Sequence, residues 1–114
     1  MTITANLTFD LGETWIIDHT SCNTDGLTPI DITGGSVGFY VKGTAAAVLT
    51  PSQATSTITD GPNGKATIKV TPAQQTAAGV TAQVASYVIR TTLADGTVTD
   101  QNIGTLTIRT TAAN

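Results

Sequence analysis

Charge is scarce in this sequence. Its 114 residues carry five lysines and arginines against eight acidic residues, a net charge of −3. The cations Lys42, Lys65, Lys69, Arg90 and Arg109 are scattered along the chain. Tracking a nucleic-acid backbone takes a clustered basic stripe, so nucleic acid is excluded as a partner. Cysteine is limited to Cys22, which rules out an internal disulfide. Glu13 is the sole glutamate and His19 the sole histidine. Glycoside chemistry needs two carboxylates across a cleft, and an activated nucleophile needs a base held by a third group. The sequence assembles neither, and the expectation is a protein that is not an enzyme, with no catalytic residues and no cofactor. No apolar run approaches the ~20 residues of a membrane span. The opening Met1-Thr2-Ile3-Thr4 lacks the basic and apolar regions of a signal peptide. The expected protein is made in a cytoplasm and has no membrane partner.

Threonine, alanine and glycine dominate what is present, and aromatic residues make up only 4% of the chain. Threonine's stiff, branched side chain suits a pleated strand while its hydroxyl tolerates water. Small side chains must fill much of the interior, with Phe9, Trp15, Phe39, Tyr40 and Tyr87 as its few bulky pieces. The length suits one domain, 1–114.

Alternation predicts most of the elements. Residues 2–9 read as one half-buried strand, broken by Leu11-Gly12. Glu13 to His19 extends again, with Trp15 and Ile17 on one face and Ile16 half covered. The stretch from Asp25 to Lys42 organises the chain: an Asp25-Gly26 turn, a bend at Thr33-Gly34-Gly35, then a central strand with Val37, Phe39 and Val41 inward. Ala46 to Thr50 is a short strand ended by Pro51, and Ser56 to Asp60 follows. Gly61-Pro62-Asn63-Gly64 predicts a tight hairpin with paired positive φ at Asn63-Gly64. Lys65 to Val70 alternates, with Ala66, Ile68 and Val70 inward. Thr71-Pro72-Ala73-Gln74 is a helix start, with Thr71 as N-cap, Pro72 at N1 and Gln74 closing a capping box, and the helix stops at Gly79. Ala82 to Leu93 is the longest predicted strand, with Ala85, Tyr87 and Ile89 inward. Asp95-Gly96 turns it into a returning strand, 97–109, kinked at Gly104 with Leu106 and Ile108 inward. Residues 110–114 read as a polar tail. The sum is an all-β, immunoglobulin-like sandwich of two sheets, about seven or eight strands with one short helical turn near 72–78.

The candidate ligands have structural readings. Asp18, Asp25 and Asp31 do not match the alternate oxygens and closing glutamate of a calcium loop, and Asp25 and Asp31 sit at turn positions. His19 and Cys22 cannot complete a tetrahedral zinc site, so no metal residues are expected. Gly34-Gly35 leads into a strand, not into the helix N-terminus that a phosphate cradle uses. The sequon Asn6-Leu7-Thr8 falls inside a predicted strand. Tyr87 has two readings: a corner tyrosine that bonds back to the preceding crossing, or a plain core residue. Trp15 reads as core, and exposure of Trp15 together with Tyr40 is the sign that separates a carbohydrate platform from it.

The succession Gly12-Glu13-Thr14-Trp15, Asp25-Gly26, Pro29-Ile30-Asp31-Ile32-Thr33-Gly34 and Val37-x-Phe39-x-Val41-Lys42 carries a family likeness. Asp60-Gly61-x-x-Gly64, Thr71-Pro72, Tyr87 and Asp95-Gly96 with Gly104-Thr105-Leu106 continue it. This order resembles the immunoglobulin-like domains of tailed-bacteriophage structural proteins, especially the N-terminal domains of baseplate upper proteins. The resemblance covers most of the chain. It implies a non-enzymatic virion component in several symmetric copies, bound to other tail, baseplate or capsid proteins, and it supplies no functional residues. Baseplate upper proteins continue into a long stalk, whereas this sequence stops at Asn114, which suits an adaptor or a capsid decoration. The alternative is a carbohydrate- or receptor-binding module of a surface adhesin, which the scarcity of aromatics opposes.

Overall fold

The computed structural model describes residues 3–22, 28–43 and 47–110. Among the described residues nine strands form two sheets: β1 (Ile3–Thr4), β2 (Leu7–Asp10), β3 (Trp15–Thr20), β4 (Ser36–Lys42), β5 (Ala47–Leu49), β6 (Thr55–Asp60), β7 (Lys65–Val70), β8 (Gln83–Thr92) and β9 (Val98–Arg109). The larger sheet runs β1-β9-β8-β4-β5, with β2 continuing the β1 edge along β9, and the smaller runs β3-β7-β6. In immunoglobulin lettering β3, β7 and β6 stand as B, E and D, and β5, β4, β8 and β9 as C′, C, F and G. The first strand lies beside the last, in parallel, and not beside β3. The protein is thus an all-β, two-sheet sandwich, as its turn spacing predicts.

The period-2 alternation sorts the core. Val37, Phe39 and Val41 of β4, Ala66, Ile68 and Val70 of β7, Ala85, Tyr87 and Ile89 of β8, and Leu106 and Ile108 of β9 are all buried in one cluster. Trp15 and Ile32 join it from β3 and from the bend before β4. Phe39 and Tyr87 meet with ring centroids 6.0 Å apart, and Trp15 stacks on Phe9 at 5.4 Å. The Asp25-Gly26 turn and residues 111–114 lie outside the described residues. The Thr33-Gly34 bend is present, with Gly34 at φ 77°. Gly35 then passes so close to the Thr92 carbonyl oxygen that a Cβ there would collide with it.

Several expectations are corrected. Residues 2–9 are not one strand: β1 and β2 are separated at Ala5-Asn6. There the Tyr87 hydroxyl donates to the Ala5 carbonyl at 2.7 Å, and the Thr105 amide donates to the Asn6 side-chain oxygen at 3.3 Å. Side chains thus replace ladder bonds, which interrupts the strand while keeping its register on β9. Asn63-Gly64 does not form the paired positive-φ turn. A 3₁₀ turn, Gly61–Asn63, closes the β6–β7 connection, and Gly64 alone takes φ 70°. Pro62 accounts for this, since its fixed φ starts a 3₁₀ turn readily. The ladder irregularity in β9 sits at Gln101, between the Ile89–Asn102 and Arg90–Asp100 pairs, and not at Gly104, which pairs with Tyr87 in register. The longest strand is β9 with 12 residues, not β8 with 10. β8 holds the middle of its sheet, with β4 one place toward the edge. Ile16 is exposed, not half covered.

The helix α1 (Pro72–Ala78) carries the chain from β7 to β8 and so from one sheet to the other. The Gln74 amide donates to Thr71 Oγ1 at 3.2 Å, Gln74 Oε1 accepts from the Thr71 amide at 2.9 Å, and Gly79 ends the helix at φ 71°. Replacing Thr71 by alanine is expected to cost about 1 kcal/mol in urea unfolding, and an unchanged midpoint would contradict the cap. Gly104 faces the Ala5 carbonyl so closely that a Cβ would collide with its oxygen. Gly104→Ala is therefore expected to cost more than Thr71→Ala, about 2–3 kcal/mol, because it pushes the first strand off β9. Equal losses for the two variants would mean that the junction gives way easily.

Candidate functional site

At the end where β3 leaves the smaller sheet, a buried chain of polar groups joins the two sheets. His19 Nε2 lies 3.0 Å from Ser21 Oγ, and Ser21 Oγ lies 2.8 Å from Thr91 Oγ1 on β8. Ser21 and Thr91 are fully enclosed and His19 is 5% exposed. Desolvation pushes the His19 pKa down to about 4, since a buried imidazolium loses its hydration. The next residue continues the seam: the Cys22 amide donates to Gln101 Oε1 at 3.0 Å, and Gln101 Nε2 donates to Thr99 Oγ1 at 2.9 Å. Antibody domains tie B to F by a disulfide. Here the Ser21–Thr91 hydrogen bond makes the tie between those strand positions.

The His19–Ser21 distance is that of a nucleophile and its base. Ser21 is sealed between the sheets, however, so a substrate cannot reach its oxygen. The pair is a structural bond. Alternation gave one available signal for it, because Thr91 is a polar residue in phase with the inward Ala85, Tyr87 and Ile89.

A second seam lies at the other end. Gln75 on α1 is 2% exposed. Its Oε1 accepts from the Gly12 amide at 2.9 Å, and its Nε2 donates to the Glu13 carbonyl at 2.6 Å. The helix is thereby fastened to the β2–β3 turn. Of the two glutamines of α1 the sequence points to Gln74 alone, because a capping box has a spacing signature and a buried glutamine has none.

The predicted ligands do not converge. Asp31 accepts from the Thr33 amide at 2.9 Å, the turn role expected of it, and hydrogen bonds from the Thr33 side chain and amide hold its pKa below the usual value. Asp18 accepts from the Thr67 hydroxyl at 3.2 Å on the exposed face of the smaller sheet. Asp25 lies outside the described residues. Among the described residues no group of three or more His, Cys, Asp and Glu side chains could hold a metal. Trp15 is 1% exposed, with its indole N–H on the Asp10 carbonyl at 2.9 Å, so it is core. Tyr40 is 40% exposed and stands apart from it. Tyr87 fits neither of its readings in full: its ring is core, but its hydroxyl bonds back to the Ala5 carbonyl between β1 and β2 and not to the preceding crossing.

What faces outward is more informative. Of the large apolar side chains that are exposed, Tyr40, Val84, Val98 and Ile103 all point from the outer face of the larger sheet. Tyr40, Val88 and Ile103 are direct cross-strand neighbours across β4, β8 and β9. Beside this row Arg90 pairs with Asp100 at 2.6 Å and lies over the Tyr40 ring at 5.5 Å. A shallow groove of about 500 Å³ runs along Tyr40, Lys42, Leu49, Thr50, Ser86, Val88 and Arg90. The sheet edges are also open. Among the described residues, β1 and β2 have β9 on one side only, and β3 and β6 border the smaller sheet. Along the first edge the only charged side chain is Asp10, which Arg109 neutralises at 2.8 Å. Natural edges usually carry lysine or proline against unwanted pairing, and this one has neither.

Compared with known proteins, the chain matches no family model and no curated protein. Among the described residues no helix is long and apolar enough to cross a membrane.

His19 sets an expected acid sensitivity. Its folded pKa lies below the unfolded value of 6.5, so the neutral form is the one that folding favours. The stability it contributes is whole above pH 6.5 and is lost as the pH falls toward 4, by about 3 kcal/mol in all. Urea unfolding at a series of pH values should show that loss, and His19→Gln should flatten it. A wild-type profile without a decline between pH 6.5 and 4 would contradict a neutral, enclosed imidazole.

Proposed function

We propose that the protein is a non-enzymatic structural subunit of a tailed-bacteriophage virion, held in several symmetric copies against neighbouring tail, baseplate or capsid proteins. The observation that carries this is the open edge formed by β1 and β2, whose peptide groups have β9 on one side alone. An edge of this kind offers a neighbour half of its backbone donors and acceptors, and a strand or loop laid along it completes the ladder. The resemblance of the turn and strand order to phage immunoglobulin-like domains supplies the setting. Sparse charge supports it as well, because subunits of low net charge repel one another weakly when packed densely.

The carbohydrate-binding alternative is weaker. It requires a platform of exposed aromatics beside polar groups, and Trp15 is enclosed in the core, which leaves Tyr40 standing apart.

Lysines at Thr4 and Thr8 are expected to lower the copy number in purified particles, counted by quantitative mass spectrometry, while the isolated protein keeps its circular-dichroism spectrum. Incorporation of the doubly substituted chain at the wild-type level would remove the edge as the docking surface.

A further inference from the structure

We infer that the outer face of the larger sheet is a self-association surface, on which a second copy of this chain packs face to face. This does not rest on the virion reading, and it concerns a different surface from the β1–β2 edge.

Three observations carry it. The first is the segregation of exposed apolar side chains. Val84 at 62% and Ile103 at 37% exposure stand on this face with Tyr40 and Val98, and Val88 fills the middle of the row between Tyr40 and Ile103. On the smaller sheet Ile16 is the comparable exposed residue, and it lies opposite Lys69.

The second is size. The 38 residues in the six strands of this sheet, at about 3.4 Å along the strand and 4.8 Å across, give a face of roughly 600 Å². A stable interface takes about 600–1,000 Å² from each partner, so a second copy covers this face at the scale a specific dimer requires.

The third is charge. Arg90 and Asp100 sit side by side on β8 and β9, each about two-fifths exposed. A two-fold axis lying along the β8–β9 seam turns each strand onto the other. Arg90 of one copy then meets the acidic position of the other, and the Val88 position meets that of Ile103. A face carrying one sign alone would repel its own copy; across this axis Arg90 and Asp100 are self-complementary, while Lys42, outward on β4, stands away from the axis. A partner of different charge pattern would lack that match.

The test is sedimentation equilibrium of the protein as it stands, from about 1 to 200 μM, a range that spans ordinary weak dimers. The expected result is a monomer–dimer equilibrium. Val84→Lys with Ile103→Lys, both at exposed positions, should weaken it at least about tenfold, because desolvated charge replaces apolar contact. Arg90→Asp alone should weaken it too, and adding Asp100→Arg should restore it. Ile16→Lys, on the outer face of the smaller sheet, should leave it unchanged. As a check independent of any variant, amide shifts in a dilution series should move on β4, β8 and β9. A wild-type monomer throughout the range overturns the proposal. So does a dimer that persists in the Val84/Ile103 variant, one abolished by Ile16→Lys, or amide shifts confined to other strands. Failure here leaves the virion reading standing, since that reading is tested by incorporation through the β1–β2 edge.

Discussion

The inward row of β8 is the constraint on which the rest of the structure depends. Ala85, Tyr87, Ile89 and Thr91 point into the sandwich from a strand that is paired on both sides. Each meets a different part of the chain. Tyr87 packs on Phe39 and reaches the carbonyl of Ala5, and Thr91 bonds Ser21 at the other end of the row. One alternating stretch therefore sets three relations at once: the face of β4 that turns inward, the place where the first strand breaks, and the point where the smaller sheet is tied across. A one-residue slip of β8 would turn its whole inward row outward, so the register is strongly specified.

A core this poor in aromatics needs support of another kind. Burial of a full side chain such as Leu, Ile or Phe contributes about 1.5–3 kcal/mol, and alanine and threonine at core positions contribute less. The polar seams at the two ends supply what the small side chains cannot, namely direction. Each buried polar side chain has a partner: His19, Ser21 and Thr91 one another, Gln75 the backbone of Gly12 and Glu13, Gln101 that of Cys22. Among the described residues no buried side-chain nitrogen or oxygen lacks a hydrogen bond. Loss of one member strands its neighbour in a site without water, which costs more than the bond itself contributes.

Much of this fold was legible in the chain, and the reason is local. The inward rows of β4, β7, β8 and β9 follow from period-2 alternation, and the Thr71–Gly79 helix from a capping box and a C-terminal glycine. These signals lie within a few residues of their effect. What escaped depends on residues far apart in sequence. Ala5-Asn6 gives no sign of a break, because the groups that break the strand, Tyr87 and Thr105, are some 82 and 99 residues away. The parallel pairing of β1 and β2 with β9 leaves no hairpin signal. Gln75 and Gln101 read as ordinary surface glutamines until the turn and the β3 end arrive to meet them. Thr91 was the one long-range contact with a local clue.

The same division separates the two proposed association surfaces. The β1–β2 edge offers backbone groups, is nearly free of charge and is tolerant of what lies against it; the bonds it forms depend weakly on the neighbour's side chains. The outer face of the larger sheet offers side chains in a fixed order, an apolar row beside an Arg90–Asp100 pair, and so discriminates by position. On the proposed reading these properties are complementary. A face that recognises its own copy sets the symmetry of a small assembly, and an edge that accepts a strand or loop fastens that assembly to a neighbour of different sequence. The two surfaces adjoin along β9: Thr8 of β2 pairs with Thr107, which pairs with Val84 of β8, so the edge continues the outer face. Tyr87 and Gly104 hold that junction in place, since the Tyr87 hydroxyl bonds the Ala5 carbonyl and Gly104 leaves room for the chain to pass.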